Sequence, residues 1–265
     1  MKDLQGTWAL VTGASSGFGI EFAKLLAERN ANLVLVARRA EPMNKLAEEL
    51  RKNRSVQVVV IAMDLSRSGA AAELKADLDH RGIAIGILIN NAGFGMNGAF
   101  LDQSLEKTTE MMRLNMTTVT ELTHMFGREM AKRKAGYILL VASLLGYQAV
   151  PGYAAYAASK AYALLFGEAL HQELAPWGVT VTTLCPGISA TGFSDVAGQK
   201  SSPFLKLLTM QHGPVAKVGL QAMFEGKASI VPGFLNKAVV FSDRLMPRKM
   251  QRIVLGRVMA GERNG

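Results

Sequence analysis

Tyr156 and Lys160 stand four residues apart, thirteen positions after Ser143. On a helix this spacing places a phenol and an ammonium on the same face. A neighbouring cation favours the phenolate, so we expect Lys160 to lower the pKa of Tyr156. Tyr156 is then a candidate proton donor or acceptor for a carbonyl or alcohol, and Ser143 a candidate to polarise the same oxygen. The spacing also occurs on many solvated helices, so the rest of the chain decides between the two interpretations.

A glycine-rich turn lies between the first predicted strand and the first predicted helix, from Thr12 to Gly19. Gly13 permits a sharp exit from the strand, while Gly17 and Gly19 remove side chains where a pyrophosphate would approach the N–H groups of a helix N-terminus. The Gly-x-x-x-Gly-x-Gly spacing in a strand–turn–helix unit therefore favours a dinucleotide site over a plain turn. The candidate cofactor contacts in this turn are Gly13, Ser15, Ser16, Gly17, Phe18 and Gly19.

Two arginines, Arg38 and Arg39, follow the second apolar run, which ends at Ala37. An NAD site normally offers a carboxylate here for the ribose 2′-hydroxyl, whereas arginine suits a 2′-phosphate, which it binds through two parallel hydrogen bonds. The alternative is a pair of solvated cations at the start of a helix, which the helix dipole disfavours. The sequence therefore predicts NADP(H) as the cofactor.

Two further segments follow predicted strands and are candidates for the adenosine end of the cofactor. Asp64, followed by Leu65, ends the third run and is interpreted either as a partner of the adenine amino group or as a helix N-cap. The fourth run ends in asparagines and small residues, namely Asn90, Asn91, Ala92 and Gly93. These small residues would let the backbone lie close to the adenine ribose, although a plain turn also explains them.

Apolar runs alternate with helical periodicity along the whole chain. The runs predict strands at residues 7–12, 32–37, 56–62, 85–90, 137–143, 179–185 and 229–231. The helical patterns cover residues 17–29, 42–52, 69–80, 103–134 with a break near Asn115, 153–175 and 214–226. Most runs are continuously apolar, as expected for a parallel sheet covered on both faces. The alternation predicts an α/β fold of the Rossmann type, with a doubly wound parallel sheet and helices on both faces.

Neither an internal repeat nor a linker divides the sequence, so we predict a single domain over residues 1–265. Residues 189–213 show no clear period and follow the sixth predicted strand, where we expect a substrate lid. The uncharged stretch 137–159 is long enough to span a bilayer. Polar and helix-breaking residues interrupt it, so it is interpreted as a strand, a loop and a helix start.

The composition, with 49% hydrophobic and 19% charged residues, is typical of a globular protein with a sizeable core. The single cysteine, Cys185, excludes an intramolecular disulfide and fits a reducing compartment. We expect it to fill a strand end rather than act as a nucleophile. With no secretory signal ahead of the first strand, the prediction is a cytoplasmic protein. The four scattered histidines lack metal-ligand spacing, so no metal is predicted.

The net charge of +9 is concentrated in a basic C-terminal segment, residues 233–265, which holds seven basic and two acidic residues. One interpretation is that the segment packs on the body of the protein, and the other is that it contacts an anionic membrane or receives an acidic substrate. We favour packing, because Pro247 interrupts a long interfacial helix. Nucleic acid is not favoured, since the first two thirds lack a basic tract with interleaved aromatic residues.

Taken together, these residues resemble the short-chain dehydrogenase/reductase family. The matching positions are Thr12, Gly13, Gly17, Gly19, Asp64, Asn90, Asn91, Ala92, Gly93, Asn115, Ser143, Tyr156, Lys160, Pro186, Gly187 and Thr191. The resemblance implies a seven-stranded sheet in the order 3-2-1-4-5-6-7. It also implies catalytic roles: Tyr156 as the acid/base, Ser143 orienting the substrate oxygen, Lys160 bonding the nicotinamide ribose and Asn115 holding a water of a proton relay.

The same resemblance extends to the cofactor's nicotinamide half, to the subgroup and to self-association. After Pro186 and Gly187, it implies that the backbone of Ile188 contacts the carboxamide and that Thr191 caps the pyrophosphate. The tail is similar to those of bacterial reductases akin to hydroxysteroid and 3-oxoacyl-thioester reductases. A homodimer or homotetramer is expected through the fifth and sixth helices, around residues 115–134 and 153–175.

We therefore predict an NADP(H)-dependent reductase for a lipophilic ketone, aldehyde or acyl substrate. The expected pocket wall is mostly apolar and comprises Leu144, Leu145, Tyr147, Val150, Tyr153, Ile188, Phe193 and Phe204. Two alternatives stay open: a regulator that binds NADP(H) without turnover, and a peripheral membrane protein that uses the basic tail.

Overall fold

Seven parallel strands form one sheet in the order β3-β2-β1-β4-β5-β6-β7. The computed structural model of the protein describes residues 3–187, 210–251 and 253, with only the backbone of residues 244 and 245. The strands are β1 (Trp8–Thr12), β2 (Asn32–Ala37), β3 (Val58–Ala62), β4 (Ile85–Asn90), β5 (Gly136–Val141), β6 (Val179–Leu184) and β7 (Ser229–Ile230). The predicted fold class and strand order are confirmed.

Eight α-helices in the described residues connect and flank the strands. They are α1 (Gly17–Ala27), α2 (Ala40–Asn53), α3 (Ala70–His80), α4 (Leu105–Met112), α5 (Val119–Arg133), α6 (Ala154–Leu174), α7 (His212–Phe224) and α8 (Phe234–Leu245). Short 3-10 helices lie at Phe100–Asp102, Leu144–Tyr147 and Ala175–Trp177.

The junction of α4 and α5 differs from the predicted break near Asn115. Instead of a break, a π-helical segment (Arg113–Thr118) joins the two helices without leaving helical geometry. Such a segment widens the turn and re-aims the side chains that it carries, and it is frequent at functional sites. Asn115 lies within it and is buried.

The core consists of two apolar layers, one on each face of the sheet. Leu10 and Val11 belong to opposite layers, as successive residues of a strand must. One layer includes Phe22 from α1, and the other includes Phe126 from α5; both side chains are fully buried. Burial on both faces explains why the strands are continuously apolar in sequence.

Residues 137–159 fold as predicted, into most of β5, the 3-10 helix Leu144–Tyr147, a turn and the start of α6. Across the described part of the chain, every helix is too short or too polar to cross a bilayer.

Candidate active site

The first two turns of α6 carry Tyr156 and Lys160. Lys160 is only 7% exposed, and its Nζ lies 5.8 Å from the centre of the Tyr156 ring. The same Nζ donates a hydrogen bond of 2.8 Å to the carbonyl of Val141, the last residue of β5. The ammonium is therefore fixed between the end of the central sheet and the tyrosine ring.

Ser143 follows β5 by two residues and caps the 3-10 helix Leu144–Tyr147. Its Oγ accepts a hydrogen bond of 3.2 Å from the backbone N–H of Leu145. The hydroxyl also lies close enough to the phenol of Tyr156 to act on its pKa, in the lowering direction. Two hydroxyl groups thus meet at the carboxyl end of β5, where one substrate oxygen would contact both.

The pKa values of Tyr156 and Lys160 differ from the expectation based on their spacing in sequence. Burial raises the pKa of Tyr156, and the neighbouring hydroxyl of Ser143 opposes that shift only in part. Burial also lowers the pKa of Lys160 to about 8, with an opposing influence of Cys185. The expected lowering of the Tyr156 pKa is wrong for the protein alone, because enclosure of the phenol dominates.

Asn115 holds the backbone of Phe94 on both sides. Its Nδ2 donates to the Phe94 carbonyl (3.0 Å), and its Oδ1 accepts from the Phe94 N–H (3.3 Å). The second hydrogen of Nδ2 goes to the Oγ of Ser159 (3.0 Å). Both amide hydrogens are thereby used, so the remaining lone pair of Oδ1 is what Asn115 can offer to a water.

Two glycines after β4 pass directly against these side chains. A Cβ atom on Gly93 would lie 2.8 Å from Oδ1 of Asn115 and 3.4 Å from Nζ of Lys160. A Cβ atom on Gly95 would lie 3.1 Å from Cδ2 of Tyr156. Sequence reasoning included Gly93 but missed Gly95 and Ser159. The sequence signals available for them were the second glycine of the Gly-Phe-Gly run and a serine between Tyr156 and Lys160.

The glycine-rich turn is locked to the segment after β4. Thr12 Oγ1 accepts from the N–H groups of Asn91 (3.0 Å) and Ala92 (2.9 Å) and donates to the carbonyl of Ile89 (3.2 Å). In return, Nδ2 of Asn91 donates to the Thr12 carbonyl (2.8 Å). Gly13 has a φ of 67°, and a Cβ atom there would lie 2.8 Å from that same Nδ2. The turn and the Asn91 segment therefore form one rigid platform.

Helix α1 begins at the end of this turn. Gly17 has a φ of 53°, and a Cβ atom on Gly19 would collide with the carbonyl oxygen of Gly13, so both positions require glycine. In the described residues the side chain of Ser16, at the N-cap, accepts no hydrogen bond from α1. The N–H of Gly19 donates to the carbonyl of Ser16 (3.2 Å), so the N–H groups of Gly17 and Phe18 are the ones left to an external acceptor.

The two arginines after β2 point in different directions. Arg39 reaches back to the glycine-rich turn, where its Nη2 donates to the Oγ of Ser15 (3.3 Å). Arg38 forms an ion pair with Glu110 on α4 (3.3 Å), and its side chain is 63% exposed. One guanidinium group therefore contacts the glycine-rich turn, and the other contacts α4.

Asp64 forms a local turn after β3. Its Oδ1 accepts from the backbone N–H (2.9 Å) and the hydroxyl (2.7 Å) of Ser66. Although burial acts to raise the pKa of Asp64, these bonds and the charges of Arg38 and Arg67 outweigh it and lower the pKa. The helix N-cap interpretation is wrong, because the N-cap of α3 is Gly69.

Leu65, the next residue, is a buried neighbour of the same region. Its side chain belongs to one apolar layer, and its carbonyl accepts from Oγ1 of Thr118 (2.7 Å) in the π-helical segment. Leu65 therefore connects the end of β3 with the segment that carries Asn115.

The segment after β6 continues the same edge of the sheet. The carbonyl of Pro186 accepts from the N–H of Leu144 (2.7 Å), and Gly187 packs against the side chain of Asn236 on α8. Ile188, Thr191, Phe193, Phe204 and residues 189–209 of the predicted lid lie outside the described residues. Positions 212 and 213 of that lid already belong to α7.

Cys185 and Tyr147 form a separate cluster behind Lys160. Cys185 is fully buried next to Ala142, Ala163 and Leu164, and burial raises the pKa of its thiol to about 12. The prediction that Cys185 fills a strand end is thus confirmed. Tyr147 packs against this cluster and not against Val150 and Tyr153 of the expected pocket wall.

The sequence matches the model of the short chain dehydrogenases over residues 7–236. The chain belongs to the short-chain dehydrogenase family. That stretch includes Ser143, Tyr156 and Lys160, the glycine-rich turn and the π-helical segment.

Relatives of this short-chain dehydrogenase carry names that differ in the activity they state. A very-long-chain 3-oxoacyl-CoA reductase of Podospora anserina is 38% identical over 200 residues, which cover 72% of this chain and 57% of the relative's length. The structure of a short-chain dehydrogenase from Sphingobium yanoikuyae in complex with NADPH superposes with a TM-score of 0.79 at 31% identity, covering 86% of this chain and 88% of that one. A 7β-hydroxysteroid dehydrogenase superposes with a TM-score of 0.87 at 26% identity over 97% of this chain and 100% of that one.

Proposed function

We propose that this short-chain dehydrogenase is an NADP(H)-dependent oxidoreductase that reduces the carbonyl of a lipophilic ketone, aldehyde or acyl substrate to an alcohol. The observation that carries the proposal is the meeting of the Ser143 and Tyr156 hydroxyl groups beside the buried Lys160. Two adjacent hydroxyl groups suit one carbonyl oxygen, because one can orient the oxygen while the other transfers a proton. The named activities of the relatives support carbonyl chemistry.

The platform of the glycine-rich turn and the Asn91 segment fits a dinucleotide. The uncapped N-terminus of α1 offers N–H groups and the positive end of a helix dipole to a pyrophosphate. We propose that the cofactor is held by Gly13, Ser15, Ser16, Gly17, Phe18, Gly19, Arg38, Arg39, Asp64, Leu65, Asn91, Ala92, Gly93, Tyr156, Lys160, Pro186, Gly187, Ile188 and Thr191. When bound, the reduced nicotinamide supplies a hydride to the carbonyl carbon.

The preference for NADP(H) over NAD(H) rests on Arg38 and Arg39. Arg39 already bonds to the turn, so its charge lies close to where the adenosine ribose would sit. Arg38 forms an ion pair with Glu110, from which a 2′-phosphate would have to draw it, and its charge also acts on Asp64. The NADPH complex of a 31% identical relative supports the same cofactor.

The chain's own groups carry the proton chemistry. A raised pKa keeps the Tyr156 phenol protonated at neutral pH, the state that a proton donor to a carbonyl oxygen requires. Once the proton has left, the ammonium of Lys160 stabilises the phenolate electrostatically. Asn115 is proposed to hold, through the free lone pair of Oδ1, a water that returns the proton.

The lipophilic substrate class rests on the apolar cluster beside Tyr156. Val150 and Tyr153 are buried there together with Ala157, and Leu145 and Tyr156 pack against them. A wall of this kind favours apolar carbonyl compounds over sugars. The test is a panel of hydrophobic ketones, aldehydes, steroids and acyl thioesters, with sugars as controls, each followed by NADPH and NADH oxidation. Turnover confined to sugars, or equal use of NADH, would contradict the proposal.

We also propose that the protein self-associates, as a homodimer or homotetramer, through α5 and α6. Leu165 on α6 is 67% exposed and is the natural anchor of such a contact. Light scattering on the purified protein is expected to give a multiple of the 28.5 kDa chain, and Leu165→Glu to lower it. A monomer would refute this part. The single, buried Cys185 is consistent with a cytoplasmic protein.

A further inference from the structure

Helix α8 turns two large aromatic side chains to solvent. Phe234 is 84% exposed and Phe241 is 62% exposed. They are seven residues apart, two helical turns, so they lie on one face of α8 together with Lys237 and Ala238, which are also exposed. We call this the outer face of α8.

The opposite, inner face of α8 carries polar groups. Asn236 is buried, with its Nδ2 donating to the carbonyl of Pro232 (3.0 Å), and Asp243 accepts a hydrogen bond from Nε2 of Gln148. Val240 lies between them and is buried. The helix thus places Asn236 and Asp243 against the protein and Phe234 and Phe241 outside, whereas an ordinary surface helix buries its large apolar residues. Such a face indicates a partner.

The exposed charged residues on α8 and just after it are all basic in the described part of the chain. Lys237 lies on the outer face, and Arg248 and Lys249 follow in exposed positions after the end of α8. Among the described residues from 233 onward, the one acidic side chain is Asp243, which is turned inward to Gln148. Within this described segment, the outer face therefore presents apolar and basic groups, and the one carboxylate lies on the inner face.

These basic residues decide between two partners for the outer face, a second copy of the chain and an anionic lipid surface. In a symmetric contact between two copies, the outer face of one copy would lie against the outer face of the other. Lys237 of each copy would then approach a surface of the same positive charge. An anionic lipid surface instead complements both components, because lysines pair with headgroups while aromatic rings enter the boundary of the acyl chains. We propose that α8 docks its outer face on an anionic bilayer, with Phe234 and Phe241 as the inserted side chains.

The length of α8 agrees with docking parallel to the membrane. Its 12 residues span about 18 Å, enough for an interfacial helix. Pro247, which argued against a long interfacial helix from sequence, lies beyond the end of α8 and leaves the outer face intact. A docked α8 would also border the site, since Gly187 packs against Asn236; any benefit to a lipophilic substrate rests on the proposed function.

The test is co-sedimentation of the full chain with vesicles, which needs neither substrate nor cofactor. We expect binding to phosphatidylcholine vesicles that contain phosphatidylserine, weakened by high salt, and little binding to pure phosphatidylcholine. The double variant Phe234→Ser/Phe241→Ser should bind at least about tenfold more weakly. Lys237→Glu should weaken binding at low salt. The matched control is Leu101→Ser/Leu105→Ser, which removes two exposed apolar side chains elsewhere.

Several results would overturn the proposal. One is equal binding to anionic and neutral vesicles or none to either, and another is an equal loss in the Leu101/Leu105 control. A third is that the wild type does not bind lipid and the phenylalanine variant has fewer subunits than the wild type. That result would assign the outer face to contact with a second copy. A fourth is a lower melting temperature of that variant with unchanged lipid binding, which would mean that the outer face is covered within the protein. Lys237→Glu tests the proposal separately if the double variant does not fold.

Discussion

The side-chain amide of Asn115 donates a 3.0 Å hydrogen bond to the hydroxyl of Ser159, which in turn donates to the backbone carbonyl of Tyr156 over 2.7 Å. The π-helical segment is thereby tied to the turn of α6 that carries the tyrosine. Ser159 is fully buried, so the link is shielded from water. Its role is to position Asn115 and Tyr156 relative to one another.

Ser159→Ala should loosen this link. Loss of the acceptor leaves a buried amide hydrogen of Asn115 unpaired, so the free energy of unfolding should fall by about 1–3 kcal/mol. We also expect kcat to fall more than KM for NADPH rises, because the cofactor platform is built from other residues. Urea unfolding and steady-state kinetics measure both. Ser242→Ala is the matched control, since its hydroxyl makes only an exposed local bond, to Val239. Equal effects of both changes would contradict the assigned role.

Gly95→Ala should displace the Tyr156 ring. The new methyl group would lie 3.1 Å from Cδ2, closer than an ordinary contact, so the ring must shift by a few tenths of an ångström. Misplacement of a catalytic group is expensive, and we expect kcat to fall roughly tenfold or more with little change in melting temperature. Gly127→Ala on α5 is the control, because its Cβ would have an ordinary 3.5 Å contact with Ile138. Unchanged kcat for Gly95→Ala would show that the ring position is not critical.

Arg39→Ala should reduce the preference for NADPH. A charged hydrogen bond contributes about 1.5–3 kcal/mol, so KM for NADPH should rise on the order of tenfold to a hundredfold. KM for NADH should change little, because NADH carries no 2′-phosphate. Arg54→Ala removes an exposed arginine at the far end of α2 and serves as the control. An equal rise in KM for NADPH and for NADH would mean that Arg39 supports the glycine-rich turn and does not bind the 2′-phosphate.

The buried Lys160 should leave a signature in the pH dependence of stability. Burial lowers its pKa to about 8 from 10.5 in the unfolded chain. Between these values the unfolded chain binds more protons, so the contribution of Lys160 to the free energy of unfolding rises with pH across that window. Wild type should therefore gain stability relative to Lys160→Met between about pH 8 and pH 10.5, by at most about 1.4 kcal/mol per pH unit. Parallel unfolding curves for the two proteins would exclude the shifted pKa.

Much of the fold can be predicted from the pattern of apolar residues in the sequence, because strands buried on both faces consist of continuous apolar runs. The runs around Val34 and Ile87 located β2 and β4, and both boundaries were predicted correctly. Helix α8 was not predicted, because its apolar residues Phe234 and Phe241 face outward while Asn236 and Asp243 face inward. Periodicity rules assume that the apolar face is the buried one.

Within the site, residue types were easier to predict than geometry. The spacing of Tyr156 and Lys160 placed both on α6, yet the direction of the tyrosine pKa depends on enclosure, which neighbours in sequence do not determine. The π-helical geometry at Asn115 and the contacts of Gly95 and Ser159 likewise arise from tertiary packing. Tyr147 shows the same limit, since its ring could turn either to the pocket or to Cys185.

The measurement that tests the account most directly is a comparison of wild type with Tyr156→Phe in carbonyl reduction and in NADPH binding. We expect the variant to lose turnover by at least about a thousandfold while its Kd for NADPH stays within about threefold, because the change removes only the proton donor. Turnover comparable to wild type would contradict the role of Tyr156 as the acid. If wild type bound NADPH but reduced no substrate in the panel, the protein would instead be a nucleotide-binding regulator.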